Sequence, residues 1–365
     1  MPRGWGCVCW RWSDREIRTT STTAHPHSGG IPVLRSIYAT RGAQSLCRGS
    51  LLTLGGLLAA CSDTSTPSAP DRAALGAQQP ATIVYVPGLL PKQILFGAAT
   101  PTGDNIFRIN PNGTGLVQIT QPSEGVWGVM PSWSPDRTRI AYSRTSSGET
   151  TVRAMKLDGT WSTWYGDGDN PRWSPDGTKI AYQRNVNGGP PQVYVINVLG
   201  TGRQQVGNQP HGSSLPTWSP DGTKIAFSAA SDIGSPQSSE IWVMNADGTN
   251  PRRLTDCYTN GAKCLAPDWH PTAGDDRIVY SLSPYGKGTS QVRTIRANGT
   301  DDATVRAVPN FPGNKSPVWS PDGTRIAYFD MPHHQLYAEI FAMKADGTEA
   351  QQLTSMNFPK RGLDW

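Results

Sequence analysis

Short runs of alternating apolar and polar residues, broken by Gly- and Pro-containing turns, fill the chain from about residue 92 to its end. Gln93-Ile94-Leu95-Phe96-Gly97, Asn105-Ile106-Phe107-Arg108-Ile109, Lys224-Ile225-Ala226-Phe227-Ser228 and Ile241-Trp242-Val243-Met244-Asn245 each predict a strand. Two kinds of turn separate such runs. In Ser-Pro-Asp-Gly, Pro presets φ, Asp bonds its own backbone and Gly takes a positive φ. Asp-Gly or Asn-Gly between alternating strands signals a tight hairpin. It recurs at Asn112-Gly113, Asp158-Gly159, Asp247-Gly248, Asn298-Gly299 and Asp346-Gly347, with Leu199-Gly200 as a weak copy.

These pieces repeat as one unit. Trp-Ser-Pro-Asp-Gly-Thr begins at Trp173, Trp218 and Trp319, with a near copy at Trp133 carrying Arg137 in place of Gly. Trp269-His270-Pro271 is a degraded copy, and the terminal Trp365 stands where a sixth would start. The Trp residues are spaced 40 to 51 residues apart, the length of a four-stranded propeller blade. The predicted fold is therefore all-β: a six-bladed β-propeller of four-stranded antiparallel blades over 92–365. Pro131, Pro171, Pro216, Pro267 and Pro317 stand two residues before a Trp, which suits an edge strand lining a central channel. The segment Gly362–Trp365 has no strands after it and is expected to join the N-terminal strands, closing the ring.

The combination of Trp-Ser-Pro-Asp-Gly-Thr, Ile-Ala-Tyr/Phe and Asp-Gly-Thr resembles the propeller of the TolB family. The stretch from Ile241 to Thr255 carries the likeness most fully. The resemblance implies a WD-repeat-like six-bladed propeller in a cell-envelope binding protein. TolB-like proteins also carry a small α/β domain before the propeller, whereas here a short Ser/Pro/Ala-rich segment precedes the first strand. A fold alone does not fix a function.

Charge and targeting signals refine this picture. The formal net charge is +5, but residues 1–61 hold seven Arg against two acids, which leaves the remainder neutral. A neutral propeller argues against a nucleic-acid partner. The apolar run Leu51 to Ala60 is too short to span a bilayer and suits a signal-peptide core. Leu58-Ala59-Ala60-Cys61 resembles a bacterial lipobox, which would make Cys61 the lipidated N-terminus of the mature protein. Residues 1–60 then read as a signal peptide whose polar beginning belongs to a mis-assigned translation start. Residues 61–91 read as a flexible tether. The expected location is the cell envelope, lipid-anchored, facing the periplasm or associated with the outer membrane if the cell is Gram-negative. The expected state is a monomer, held to the membrane through its lipid alone.

Cys257 and Cys264 share one loop, and an oxidising compartment predicts a disulfide between them. In a propeller the two kinds of short turn share one face, and the loops of variable length share the other. Binding residues concentrate on variable loops carried by a rigid scaffold, so the variable-loop face is the expected binding face. Its candidates are Arg172, His211, Tyr258, Asp268, Tyr285, Lys287, His333, His334 and Asp364, with Trp127, Arg184, Phe311, Lys315 and Phe358 beside them. The residues directly before each Trp are Ser132, Arg172, Thr217, Asp268, Val318 and Asp364, some of which are expected to face the channel. Signatures of nucleophilic, phosphate-binding and zinc chemistry are absent from the sequence. No catalytic residue, cofactor or metal is expected. The functional expectation is a scaffold for a protein, peptide or polymer ligand. The alternative is a carbohydrate lyase or hydrolase drawing on His211, His333, His334, Arg172 and Asp268.

Overall fold

Each Ser-Pro-Asp-Gly-Thr segment folds into the same bonded turn. In the copy starting at Trp173, Ser174 Oγ donates to Asp176 Oδ1 at 2.5 Å, and the Thr178 and Lys179 amides donate to Asp176 and Ser174 at 3.0 and 2.9 Å. Ser134–Asp136, Ser219–Asp221 and Ser320–Asp322 repeat the first bond at 2.6 Å. The Asp-Gly-Thr turns use the same device: Asp247 Oδ1 accepts the Thr249 amide at 2.9 Å and its hydroxyl at 2.7 Å. Local side-chain bonding of this kind fixes a hairpin independently of what packs against it.

The computed structural model describes residues 92–365, apart from 102, 121–125, 128, 159, 161, 231–238, 287, 310–314 and 333–334. Residues 1–91 lie outside the described residues, and with them Cys61, the apolar run and the whole of the proposed tether.

The first blade contains β1 (Ile94–Thr100), β2 (Gly103–Ile109) and β3 (Val117–Gln118). The second has its innermost strand in two pieces, β4 (Val126–Trp127) and β5 (Pro131–Trp133), both paired to β6 (Arg139–Ser146), followed by β7 (Glu149–Lys156) and β8 (Ser162–Asp167). The third runs β9 (Asp169–Trp173), β10 (Lys179–Arg184), β11 (Gln192–Asn197) and β12 (Gln204–Gln205). The fourth runs β13 (Ser213–Trp218), β14 (Lys224–Ala229), β15 (Glu240–Asn245) and β16 (Arg252–Arg253). The fifth runs β17 (Ala262–Trp269), β18 (Arg277–Pro284), β19 (Ser290–Arg296) and β20 (Ala303–Val308). The sixth runs β21 (Val318–Trp319), β22 (Arg325–Asp330), β23 (Glu339–Lys344) and β24 (Gln351–Gln352). The last strand, β25 (Lys360–Asp364), pairs antiparallel with β1 and completes the first blade. No helix forms among the described residues.

The predicted six-bladed ring and its mode of closure are both present. The closing strand begins two residues earlier than Gly362 and ends at Asp364, because Lys360 and Arg361 already pair with Ala98 and Gly97. A bulge at Phe96/Gly97 interrupts that pairing. Gly97 is required there, since a Cβ would lie 2.3 Å from the Val129 carbonyl oxygen of the second blade.

The core lies between blades. Ile94, Phe96 and Ile109 of the first blade pack with Phe329, Ile340 and Leu353 of the sixth, and Leu363 and Trp365 join them. The aromatics at the matching position of the second strand in the third to sixth blades, Tyr182, Phe227, Tyr280 and Tyr328, are fully buried, whereas Tyr142 of the second blade is half-buried. Burying such a side chain contributes about 1.5–3 kcal/mol.

Candidate functional site

Three rings of side chains, one residue per blade in each, build the central channel. The first consists of the residues three before each Trp: Met130, Asn170, Leu215, Ala266, Ser316 and Gly362. All six line a cavity of about 90 Å³ at the variable-loop end. Five of them have φ between 41° and 53°, a left-handed conformation that is strained for Leu, Ala and Ser. Register shifts in the inner-strand pairing fall at Ser214/Thr217 and Leu265/Asp268, marking bulges at these places. The bulges turn the chain inward and narrow this mouth.

The second ring contains the residues directly before each Trp. Asp364 Oδ2 accepts the Trp133 amide at 2.7 Å, and Asp268 Oδ2 accepts the Trp319 amide at 2.9 Å. Each carboxylate thus holds the inner strand of the following blade. Thr217 Oγ1 donates to Asp268 Oδ1 at 3.2 Å. Arg172 reaches past the second blade to donate to Leu363 O at 2.9 Å and Pro131 O at 3.3 Å, and its guanidinium lies 3.4 Å from Asp364 Oδ1. Burial raises the Asp268 carboxyl to about 7; Arg172 and the Trp319 amide oppose the rise and neighbouring Asp364 adds to it. Asp364 is raised as well, by burial first, against Arg172 and the Trp133 amide. Burial thus favours the neutral form of both carboxyls, opposed by the charge of Arg172 and, at Asp364, of Arg137.

The third ring is the six Trp residues themselves. They rim a funnel of about 960 Å³ at the short-turn end, which Asp268, Asp364, Lys92, Arg137 and His270 also line. Backbone carbonyls anchor three of the indoles: Trp133 Nε1 donates to Gln93 O at 3.0 Å, Trp218 to Arg172 O at 3.2 Å and Trp365 to Lys92 O at 2.7 Å. Guanidinium groups lie over other faces, Arg137 on Trp133 and Arg139 on Trp173 at 5.2 Å, and Arg277 on Trp319 at 5.5 Å. In the fifth blade His270 replaces the turn Ser. Its buried ring meets Trp319 edge-on at a centroid distance of 4.7 Å and lies 3.4 Å from Asp275. Burial lowers its pKa against the pull of Asp275.

The sequence candidates therefore separate. Arg172, Asp268 and Asp364 come together in the channel, and the two carboxylates line the short-turn funnel rather than the variable-loop face. Asp268 sits one residue from the end of β17, and Asp364 is the last residue of β25. His211 is exposed on the loop between the third and fourth blades. Tyr258 and Tyr285 meet on the variable-loop face as a T-shaped pair with centroids 6.5 Å apart. Arg184 pairs with Asp167 at 3.0 Å. Lys315 is wholly buried, and desolvation brings its amine down to about 7 against the attraction of Asp330. Phe358 is half-buried. Lys287, Phe311, His333 and His334, and the side chain of Trp127, lie outside the described residues. Cys257 and Cys264 are joined by a disulfide with Cα atoms 5.9 Å apart.

Glu240 and Glu339 are buried acids that the sequence reading passed over. Glu240 accepts Thr255 Oγ1 at 2.6 Å and the amides of Cys257 and Tyr258 at 2.8 Å. Glu339 accepts Thr354 Oγ1 and the Met356 amide, and pairs with buried Lys360 at 2.8 Å. Their signal is the shared Glu-Ile at the start of the third strand, with Leu-Thr following fourteen residues later. Each acid fixes the connection that leads into the next inner strand.

The closed ring of six four-stranded blades around a central channel places the chain among the β-propellers. A model for the TolB beta propeller domain matches residues 169–361, more than half of the chain, and the chain belongs to that family. TolB from Acinetobacter baumannii superposes with a TM-score of 0.63 at 18% identity, over 75% of this chain and 66% of that protein. The chain thus spans just under two thirds of that TolB. A putative TolB from Agrobacterium tumefaciens gives 0.57 at 21% identity over 74% and 91%, and a chain of a nidogen/laminin complex 0.58 at 12% over 74% and 97%. These likenesses speak for the fold. No curated protein sequence matches the chain.

Proposed function

We propose that this chain is a cell-envelope binding scaffold, tethered through a lipid on Cys61 and the segment 61–91, that holds a segment of a protein partner in the Trp-rimmed funnel. The observation that carries the reading is the placement of Asp268 and Asp364 below six indoles in a cavity of about 960 Å³. Pockets of this size with few convergent polar groups are the usual binding sites. Membership of the TolB propeller family supports an envelope setting and a protein partner. The scaffold acts as a monomer. The enzymatic reading draws less support, because exposed His211 stands apart from Arg172 and Asp268.

The test is capture of a partner from detergent-solubilised envelopes by wild type, Asp268→Asn and Asp364→Asn, the amides retaining an oxygen for Trp319 and Trp133. Loss of capture in these variants, with His211→Ala behaving as wild type, supports the funnel. Loss in His211→Ala and Tyr258→Ala with the amide variants unaffected would move the site to the variable-loop face.

A further inference from the structure

The chain holds four Asn-Gly pairs, beginning at Asn112, Asn187, Asn260 and Asn298. In three of them the glycine closes a turn with its own amide. Gly113 donates to Asn110 O at 2.9 Å, Gly261 to Tyr258 O at 3.0 Å and Gly299 to Arg296 O at 2.8 Å. Their asparagine side chains are engaged as well. Asn112 Oδ1 accepts the Thr114 amide at 3.1 Å, Asn298 Oδ1 accepts the Thr300 amide at 2.9 Å, and Asn260 Nδ2 donates to Asp256 O at 2.8 Å.

Asn187-Gly188 is built differently. It lies between β10 and β11, the second and third strands of the third blade. Its turn is closed one residue later, by the Gly189 amide donating to Val186 O at 2.9 Å. Asn187 and Gly188 are therefore the two central residues, with φ of 53° and 71°, the type I′ arrangement that Asn-Gly favours. This leaves the Gly188 amide outside the bond that closes the turn. Among the described residues neither this amide nor the Asn187 side chain has a hydrogen-bond partner. Both residues are exposed, and beyond the chain neighbours no atom lies within 4 Å of where a Gly188 Cβ would stand.

We propose that Asn187 is a modification site, at which the Gly188 amide converts the side chain to isoaspartate and aspartate through a succinimide. The Gly188 nitrogen attacks Asn187 Cγ, the Cγ–Nδ2 bond breaks, and the side-chain nitrogen leaves as ammonia with the amide proton. Water then opens the ring at either carbonyl. Opening at Cγ gives aspartate. Opening at the main-chain carbonyl gives isoaspartate, whose backbone runs through Cγ. One water is consumed for each ammonia released, and no redox partner is needed. At the other three pairs the attacking amide must first leave its acceptor and the side chain must leave its own partner, and together these bonds slow the attack about tenfold or more. The product carries a negative charge and an extra backbone carbon into a loop of the variable-loop face, where binding residues concentrate.

The test is ageing of the full chain in mildly alkaline buffer, followed by peptide mapping with mass spectrometry that localises each new acid and tells isoaspartate from aspartate. Asn187 is expected to convert first, with isoaspartate as the main product. Asn112, Asn260 and Asn298 should convert about tenfold more slowly or less. In urea-unfolded protein the four rates should converge, because the Asn-Gly pair is common to all. Conversion of any of the three as fast as Asn187 in the folded chain would overturn the assignment. So would a ranking that survives unfolding, since sequence alone would then set it.

Discussion

Asp364 accepts the backbone amide of Trp133 at 2.7 Å across 231 residues of sequence. The last strand is therefore bonded along one edge to β1 and, at its end, to the second blade. Deleting residues 361–365 removes Leu363 and Trp365 from the core between the first and sixth blades and exposes the edge of β1. Loss of two buried side chains of this size costs on the order of 5 kcal/mol or more. The melting temperature should fall by more than about 10 °C. A fall of only two or three degrees in a thermal melt would show that closure contributes little.

Glu339 and Lys360 tie the sixth blade to the start of the closing strand. Both side chains are almost wholly buried and 2.8 Å apart, and Lys360 Nζ also donates to the carbonyls of Ala338, Met356 and Phe358. Removing one partner of a buried pair leaves the other desolvated. Glu339→Ala should destabilise by about 3–5 kcal/mol, and Lys360→Met by less, because Glu339 keeps Thr354 and Met356 as donors. Urea denaturation measures both. Equal small losses would mean that the pair is not a determinant of closure.

The hexapeptide made the blade count legible because its turns are held by bonds inside the motif, as Ser174, Asp176 and Thr178 illustrate. Trp365 likewise announced the closing strand. The channel was less legible. Its narrow mouth depends on positive φ at Asn170, Leu215, Ala266 and Ser316, four different residue types with no common signal beyond the Pro or Trp that follows. Short, uniform turns gave no sign of the funnel that opens on their face. Glu240 and Glu339 were passed over because a lone acid within a strand reads as solvent-facing until its partners, fifteen to eighteen residues away, are seen.

Asp268 should make stability depend on pH. Its carboxyl is raised to about 7 from an ordinary value near 3.9. Between these values the folded state holds a proton that the unfolded state releases, so stability falls as pH rises through the window and is greatest below it. The full shift corresponds to about 4 kcal/mol, and access of solvent from the funnel reduces this to about 1–2 kcal/mol. Asp364 acts in the same direction. Asp268→Asn, which keeps an acceptor for Trp319, should flatten the dependence of the urea midpoint between pH 5 and about 7. A slope as steep as that of wild type would exclude Asp268 as its origin.

The imperfect fifth repeat predicts an interaction between blades that the regular repeats lack. A Cβ at Gly323 would lie 2.3 Å from His270 Nε2, whereas at Gly177 the nearest atom, of Pro135, is 3.8 Å away. Both glycines have φ near 70°, so Ala at either position carries a similar backbone penalty of about 1–2 kcal/mol. Gly323→Ala must in addition displace a buried imidazole packed against Trp319, for a total of about 3 kcal/mol or more. Restoring the regular turn residue should remove the surplus. In a double-mutant cycle, Gly323→Ala in a His270→Ser background should cost no more than Gly177→Ala does in wild type, a coupling of about 1–2 kcal/mol. Additive losses in the cycle would show that His270 yields without cost and that the two blades are not locked at this point.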